Sequence, residues 1–96
     1  MSQNNYEEET VTKYTLVATT VTKVMDANAE RKLAEIWDET GGTLYFAFTN
    51  TAPSNTDTMK PLPANTAYIA ERNSGIAKSA LYAYSTAGGV IKVSEA

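Results

Sequence analysis

The chain has 96 residues, contains neither cysteine nor histidine, and carries a formal net charge of −3 at pH 7. Its length corresponds to a single domain, and the two missing residue types exclude disulfides and argue against a zinc site or a histidine-based active site. The eight basic residues are scattered along the sequence, whereas binding to nucleic acid requires clustered positive charge. We therefore expect no nucleic-acid partner.

The apolar runs of the sequence are far too short to span a bilayer, and the first residues lack the apolar segment of a signal peptide. These features predict a protein without a membrane partner that is made and used in the cytoplasm. A domain of this size has a thin core, and neither disulfides nor zinc can reinforce it. We therefore expect a homo-oligomer, with a trimer among the candidate states.

The chain begins with a polar, acidic segment, residues 1–9, in which Tyr6 is the only aromatic residue. This composition predicts a flexible acidic N-terminal arm, and the alternative is an arm that orders against a neighbouring subunit. Residues 10–96 are expected to form one domain. Residues 10–24 are rich in Thr, Val, Tyr and Leu, which favour strands. The alternation changes phase near 18–20, which predicts a bulge or a break into two strands.

Residues 31–48 are the most informative part of the sequence. One apolar run ends at Trp37, a second one covers 43–48, and the polar pair Gly41-Gly42 lies in the segment between them. Two such runs separated by a turn predict a β-hairpin. Residues 26–40 also permit a helix, because the residue types there have high helix propensity, Asp26 could cap the helix and Gly41 could end it.

The second half of the chain predicts further short strands separated by turns. A polar loop over 49–63 ends in Pro61-Leu62-Pro63, which excludes a central strand there. Strands are expected near 67–70, 76–85 and 90–94, with turn sequences between them. Several short strands at regular spacing predict an all-β fold. We expect a small antiparallel β-sandwich, either jelly-roll-like or Ig-like, with an extended N-terminal arm.

No pattern in the sequence assembles a catalytic site. The glycine pairs lack the spacing of phosphate-binding loops, and the adjacent Asp38 and Glu39 would point to opposite faces of a strand. We therefore predict no catalytic residue, no metal, no cofactor and no enzymatic activity.

The aromatic residues divide into two groups. Trp37, Phe46 and Phe48 are expected in the core. Tyrosines on the outer face of a sheet could contact a partner protein or a sugar, although cross-strand packing also explains them. The candidates for partner contacts are Tyr6, Tyr45, Tyr82 and Tyr84.

Several segments together resemble small β-sandwich structural proteins of tailed bacteriophage virions, namely residues 27–33, 36–38, 43–48, 62–68, 75–77 and 81–85. In that pattern a loop of the form Asn-x-x-Arg-Lys, here Asn28 to Lys32, leads into a strand, a turn and a second apolar strand. The sequence departs from the pattern at Ala34-Glu35, where an apolar continuation is usual. The resemblance covers residues 27–94 and favours a strand over a helix for 31–37.

The resemblance implies a structural protein of the virion, assembled in the host cytoplasm and present in many copies. The first expectation is a capsid decoration or cement subunit that stabilises the head by binding the major capsid protein or a neighbouring virion protein. One alternative is an accessory protein of the tail, neck or head fibre. The other is a module that binds carbohydrate or the host surface. The resemblance implies no catalytic residues.

Overall fold

The structure, a computed structural model, describes residues 10–71 and 78–96. The predicted arm at 1–9 therefore lies outside the described residues, as do the first two residues of the strand predicted at 76–85. The described residues form eight strands and one short 3-10 helix over Thr56–Thr58. The strands are β1 (Thr10–Leu16), β2 (Thr22–Met25), β3 (Leu33–Glu39), β4 (Leu44–Phe48), β5 (Lys60–Leu62), β6 (Ala67–Glu71), β7 (Leu81–Tyr84) and β8 (Gly89–Glu95).

The strands form two four-stranded antiparallel sheets. Sheet I has the order β1-β8-β3-β6, and sheet II has the order β2-β7-β4-β5. The β4–β5 connection stays within sheet II, while each of the other connections carries the chain from one sheet to the other. Eight strands in this order form a jelly roll. The predicted all-β sandwich is therefore confirmed, and the strand order selects the jelly-roll alternative over the Ig-like one.

The predicted hairpin over 31–48 is wrong, although both of its arms are strands. β3 pairs with β8 on one side and β6 on the other, and β4 pairs with β7 and β5. Both edges of each strand are thus occupied by strands other than its supposed hairpin partner, so the turn between β3 and β4 crosses from sheet I to sheet II. At the start of this turn Asp38 Oδ1 accepts hydrogen bonds from the Thr40 N–H and Oγ1 (2.8 and 2.6 Å).

The helical alternative for residues 26–40 is also wrong. Helix propensity is a weak preference that tertiary contacts override, and here β3 runs between two neighbouring strands in sheet I. Gly41, which could have ended a helix, has a φ of +83° and serves the turn between the two sheets.

The core lies between the two sheets and follows the alternation of the strands. Ile36, Leu44, Leu81 and Ile91 are completely buried, and they come from β3, β4, β7 and β8. Phe46 is buried beside them and Phe48 packs against them partly exposed. Trp37 was expected in the core, but it follows Ile36 directly and therefore faces the outer side of sheet I, where it is half-buried.

The predicted break near residues 18–20 is confirmed, because β1 ends at Leu16 and β2 starts at Thr22. Near this break the β7–β8 turn comes close to the main chain. Gly88 has a φ of +73°, and a Cβ atom there would lie 2.7 Å from the carbonyl oxygen of Leu16. The position therefore requires glycine for its conformation and for the close approach.

A buried arginine cluster fastens one end of the sandwich. Arg31 is 1% exposed, and its guanidinium donates to Glu95 Oε1 (3.0 Å), the Ser79 carbonyl (2.9 Å) and the Asp26 carbonyl (2.7 Å). Asn28 Nδ2 also donates to Glu95 Oε1, at 3.2 Å. These contacts join the loop before β3, the segment before β7 and the end of β8. They explain physically why asparagine and arginine stand three residues apart before this strand.

Candidate interaction surface

The candidate surface is the outer side of sheet II, where three of the predicted contact residues converge. In β4 and β7 the residues Phe46, Leu81 and Ala83 point into the core. Their neighbours alternate to the other side. The register pairs Tyr45 with Tyr84. This places the two rings next to each other on the outer face of the two central strands of sheet II.

Tyr82 completes the group in the adjacent row, where it pairs with Ala47 on one side and Lys23 on the other. We call Tyr45, Tyr82 and Tyr84 the tyrosine face. The rings of Tyr45 and Tyr84 meet edge to face, with centroids 6.2 Å apart and an interplanar angle of 65°. All three side chains are half-buried, so the face is packed enough to have a defined shape and open enough to touch a partner.

The charge beside the tyrosine face is compensated. Lys23 Nζ lies 3.0 Å from Asp26 Oδ1. The hydrogen bond to Asp26, followed by the negative charge of that carboxylate, raises the pKa of Lys23 above its usual value of 10.5. A partner could therefore cover the aromatic surface without leaving an unpaired cation beside it. Surfaces rich in tyrosine are typical of protein–protein interfaces and also suit sugar rings.

The other tyrosines of the chain have different positions. Tyr6 lies outside the described residues, so its contact prediction stays a prediction. Tyr14 and Tyr68 pack against the core from inside the sandwich. The alternation of β4 and β7 already separated Tyr45, Tyr82 and Tyr84 from core positions, but only the register shows that they share one patch.

Sequence reasoning missed a second feature, a side cavity at the β5–β6 side of the sandwich. Its volume is about 310 Å³, and Phe46, Phe48, Tyr68 and Lys60 are among its lining residues. The Phe46 and Tyr68 rings lie 4.9 Å apart between centroids, and Lys60 Nζ lies 5.9 Å from the centre of the Tyr68 ring. These residues belong to three strands, so no local sequence pattern could have revealed the cavity.

The acidic pair Asp38 and Glu39 has the divergent arrangement expected from its adjacency. Asp38 is 1% exposed and holds the turn after β3, whereas Glu39 is exposed and pairs with Lys92 at 3.3 Å. Within residues 10–71 and 78–96, Asp38 Oδ2 lacks a hydrogen-bond partner. No three Asp, Glu, His or Cys side chains in these ranges are grouped so that they could hold a metal ion.

The described part of the chain contains no helix with the length and apolar character needed to cross a membrane.

Comparison with known proteins bears on the fold. No family model matches the chain, and no curated protein matches it. A solved structure from Bacillus endospore appendages, which are described as a family of disulfide-linked pili, matches with a TM-score of 0.53 and 8% sequence identity, over 99% of this chain and 95% of that one. At this identity the likeness shows a common β-sandwich fold. The present chain contains no cysteine, so disulfide links of its own are excluded.

Proposed function

We propose that this protein is a structural subunit of a phage virion, namely a capsid decoration subunit that binds the major capsid protein through the tyrosine face. The observation that carries the proposal is the convergence of Tyr45, Tyr82 and Tyr84 on one outer sheet face beside a compensated charge. Tyrosine is enriched among residues that dominate binding energy, because its large rigid ring loses little entropy and its hydroxyl can hydrogen-bond.

Two further observations support a structural role. The resemblance to virion proteins extends over residues 27–94, and the jelly roll is an architecture that viral capsid and lectin domains use. A decoration subunit binds a shell that offers the same site many times. If each bound subunit also touches its neighbours, a modest contact is enough for high occupancy.

The test is co-sedimentation of the purified protein with undecorated heads. We expect saturable binding, and we expect replacement of two rings in Tyr45→Ala/Tyr82→Ala to weaken it at least tenfold. The matched control is Trp37→Ala, which removes a half-buried aromatic ring from the outer face of the opposite sheet. Absence of saturable binding by the unmodified protein would refute the decoration role. Equal weakening by the control would refute the assignment of the tyrosine face.

A second candidate is a subunit of a self-assembled filament. It is favoured by the likeness of the fold to that of the endospore pilus structure, which extends over nearly the full length of both chains. Without cysteine, such a filament would be held together without disulfides. Co-sedimentation with undecorated heads separates the two candidates, since saturable head binding is expected only from the first.

The tyrosine face also fits the carbohydrate-binding alternative, because aromatic rings on a sheet surface can stack on sugars. A glycan array probed with the unmodified protein and with Tyr82→Ala distinguishes this alternative. Binding to a defined glycan that the substitution abolishes would favour a host-surface module over a decoration subunit.

Copy number in purified particles separates decoration from a tail, neck or head-fibre position, because a decoration subunit is present in as many copies as the repeated site on the shell.

A further inference from the structure

The side cavity has the size and chemistry of a site for an aromatic side chain. Cavities of about 150 Å³ are large enough to hold benzene, and this one has a volume of about 310 Å³. Phe46, Phe48 and Tyr68 present three rings with centroid separations of 4.9 to 6.4 Å. A further ring could pack against them in the tilted geometries that aromatic groups prefer.

The rim of the cavity carries a cation that is available to a ligand. Lys60 is exposed and its ammonium group lies over the Tyr68 ring, at 5.9 Å from the centroid. None of the ion pairs formed among residues 10–71 and 78–96 involves Lys60. A ligand that matches this site has an aromatic group followed closely by negative charge.

Residues 1–9 of the chain have this composition. Tyr6 is their only aromatic residue, and three glutamates follow it directly, at positions 7, 8 and 9. The next residue, Thr10, begins β1. The segment therefore offers one ring for the cavity and three carboxylates for Lys60, and it joins the described fold at a defined point.

The position of Thr10 favours binding of residues 1–9 to the cavity of a second copy over binding to the cavity of the same copy. Thr10 lies in one transverse row with Glu95, Ala34 and Ala70 across sheet I, and Ala70 lines the cavity. β1 and β6 are the opposite edges of that sheet, separated by three strand spacings of about 4.8 Å, or roughly 14 Å. To reach the cavity of their own copy, residues 1–9 would have to reverse direction at Thr10 and cross β8 and β3. A second copy that places its β6 edge beside this β1 edge presents its cavity in the same transverse row.

We propose that residues 1–9 of one copy bind the side cavity of a second copy, with Tyr6 among the three rings and the glutamates beside Lys60. The donor lies at the β1 edge and the acceptor at the β6 edge, so the contact is heterologous and continues from copy to copy into a ring or a filament. The proposal does not depend on what the tyrosine face binds.

The experiment uses two full-length variants that are defective in opposite halves of the contact. Tyr6→Ala keeps the cavity and loses the aromatic donor, while Lys60→Glu keeps the donor and repels its glutamates. By sedimentation velocity we expect the unmodified protein to associate, each variant alone to associate at least tenfold more weakly, and an equal mixture to form dimers that grow no further. Lys32→Glu, which reverses an exposed lysine elsewhere, should associate like the unmodified protein.

A cross-link establishes which copy is bound. Since the chain has no cysteine, Asn5→Cys combined with Thr58→Cys, an exposed position in the cavity wall, gives a clean pair that keeps the Tyr6 ring. Cross-linked dimers and higher ladders under oxidation support the proposal, and a cross-linked monomer overturns it. It is likewise overturned if the unmodified protein stays monomeric, if either variant associates normally, or if the mixture forms no dimers. Loss of head binding by tyrosine-face variants leaves these readouts unchanged, so the two proposals fail separately.

Discussion

The arginine cluster and the tyrosine face place large polar-tipped side chains in opposite situations. Arg31 is 1% exposed and its hydrogen bonds go to groups of the same chain. Tyr45, Tyr82 and Tyr84 are half-buried on the outer face of sheet II, so part of each side chain stays accessible. The cluster therefore serves the fold, whereas the tyrosine face has binding capacity that the fold does not use.

The two regions differ in the interactions that are lost when one of their side chains is removed. Removal of a buried charged partner leaves polar groups without hydrogen bonds in a place that water cannot easily reach. Removal of a half-exposed ring loses part of its packing and creates no orphaned polar group. Stability and binding should therefore respond to different substitutions.

The largest effect is expected for Arg31→Met. The substitution removes the charged partner of Glu95, which keeps only the Asn28 amide as a donor, and it leaves two carbonyl groups without the guanidinium. Breaking a buried ion pair costs about 3–5 kcal/mol. Because the side chain of Glu95 is 30% exposed, we expect a loss near the lower end, about 3 kcal/mol in urea unfolding. The control is Lys32→Met, which removes the adjacent but exposed lysine and should change stability little. Equal losses in both variants would contradict a special role for Arg31.

A smaller effect is expected for Asn28→Ala within the same cluster. Asn28 donates to Glu95 at 3.2 Å and its Oδ1 accepts from the Glu30 N–H at 2.9 Å. Because Arg31 still holds Glu95, the loss should be about 1 kcal/mol, the usual net contribution of such hydrogen bonds. In the double variant with Arg31→Met the two losses should be less than additive, since both residues act on one carboxylate. Simple additivity would show that the cluster is not one unit.

Substitutions in the tyrosine face should affect stability less and binding more. Tyr82→Ala should cost below about 1 kcal/mol in unfolding free energy, the scale of a cross-strand pair, while Tyr45→Ala/Tyr82→Ala weakens head binding at least tenfold. A double-mutant cycle between Tyr45 and Tyr84 should give a coupling of about 0.5–1 kcal/mol from their edge-to-face contact. If Tyr82→Ala unfolds the protein as strongly as Arg31→Met, the contrast between the two regions is lost.

The smallest effect is expected for the ion pair beside the tyrosine face. Because Asp26 raises the pKa of Lys23 above 10.5, the pair contributes its stability fully below that pH and loses it as the pH rises through the raised pKa. Lys23 is exposed, so solvent screens the pair. Asp26→Asn should therefore lower the melting temperature only slightly between pH 6 and pH 9, and the two melting curves should converge above pH 10, where Lys23 loses its charge. A clear difference at neutral pH would contradict this screening.

Part of the fold follows from local sequence. Ile36, Phe46 and Leu81 alternate with Trp37, Tyr45 and Tyr82, and this period of two shows which residues share a face of a strand. The proline pattern excluded a central strand near Pro61, and β5 indeed lies at the edge of sheet II. Absence of cysteine likewise excludes disulfides whatever the fold.

The sheet assignments could not be deduced in the same way. The segment between Ile36 and Leu44 has the composition of a hairpin turn, yet it crosses between sheets. β3 pairs with β8 and β6, whereas β4 pairs with β7 and β5. Sequence-distant contacts of this kind carry no local signature, and helix propensity before β3 was overridden for the same reason. The side cavity also depends on residues from three strands.

The sequence by itself therefore determines an all-β domain without disulfides and the approximate positions and two faces of its strands, except for β5, which lies within the predicted loop over 49–63. The tertiary structure decides that Thr10 pairs with Glu95 across nearly the full chain length, that Arg31 is buried, and that Tyr45, Tyr82 and Tyr84 form one surface. The physical reason is the range of the interactions. Alternation arises within a single strand, whereas pairing and packing are set by the whole set of strands that compete to bury their apolar faces.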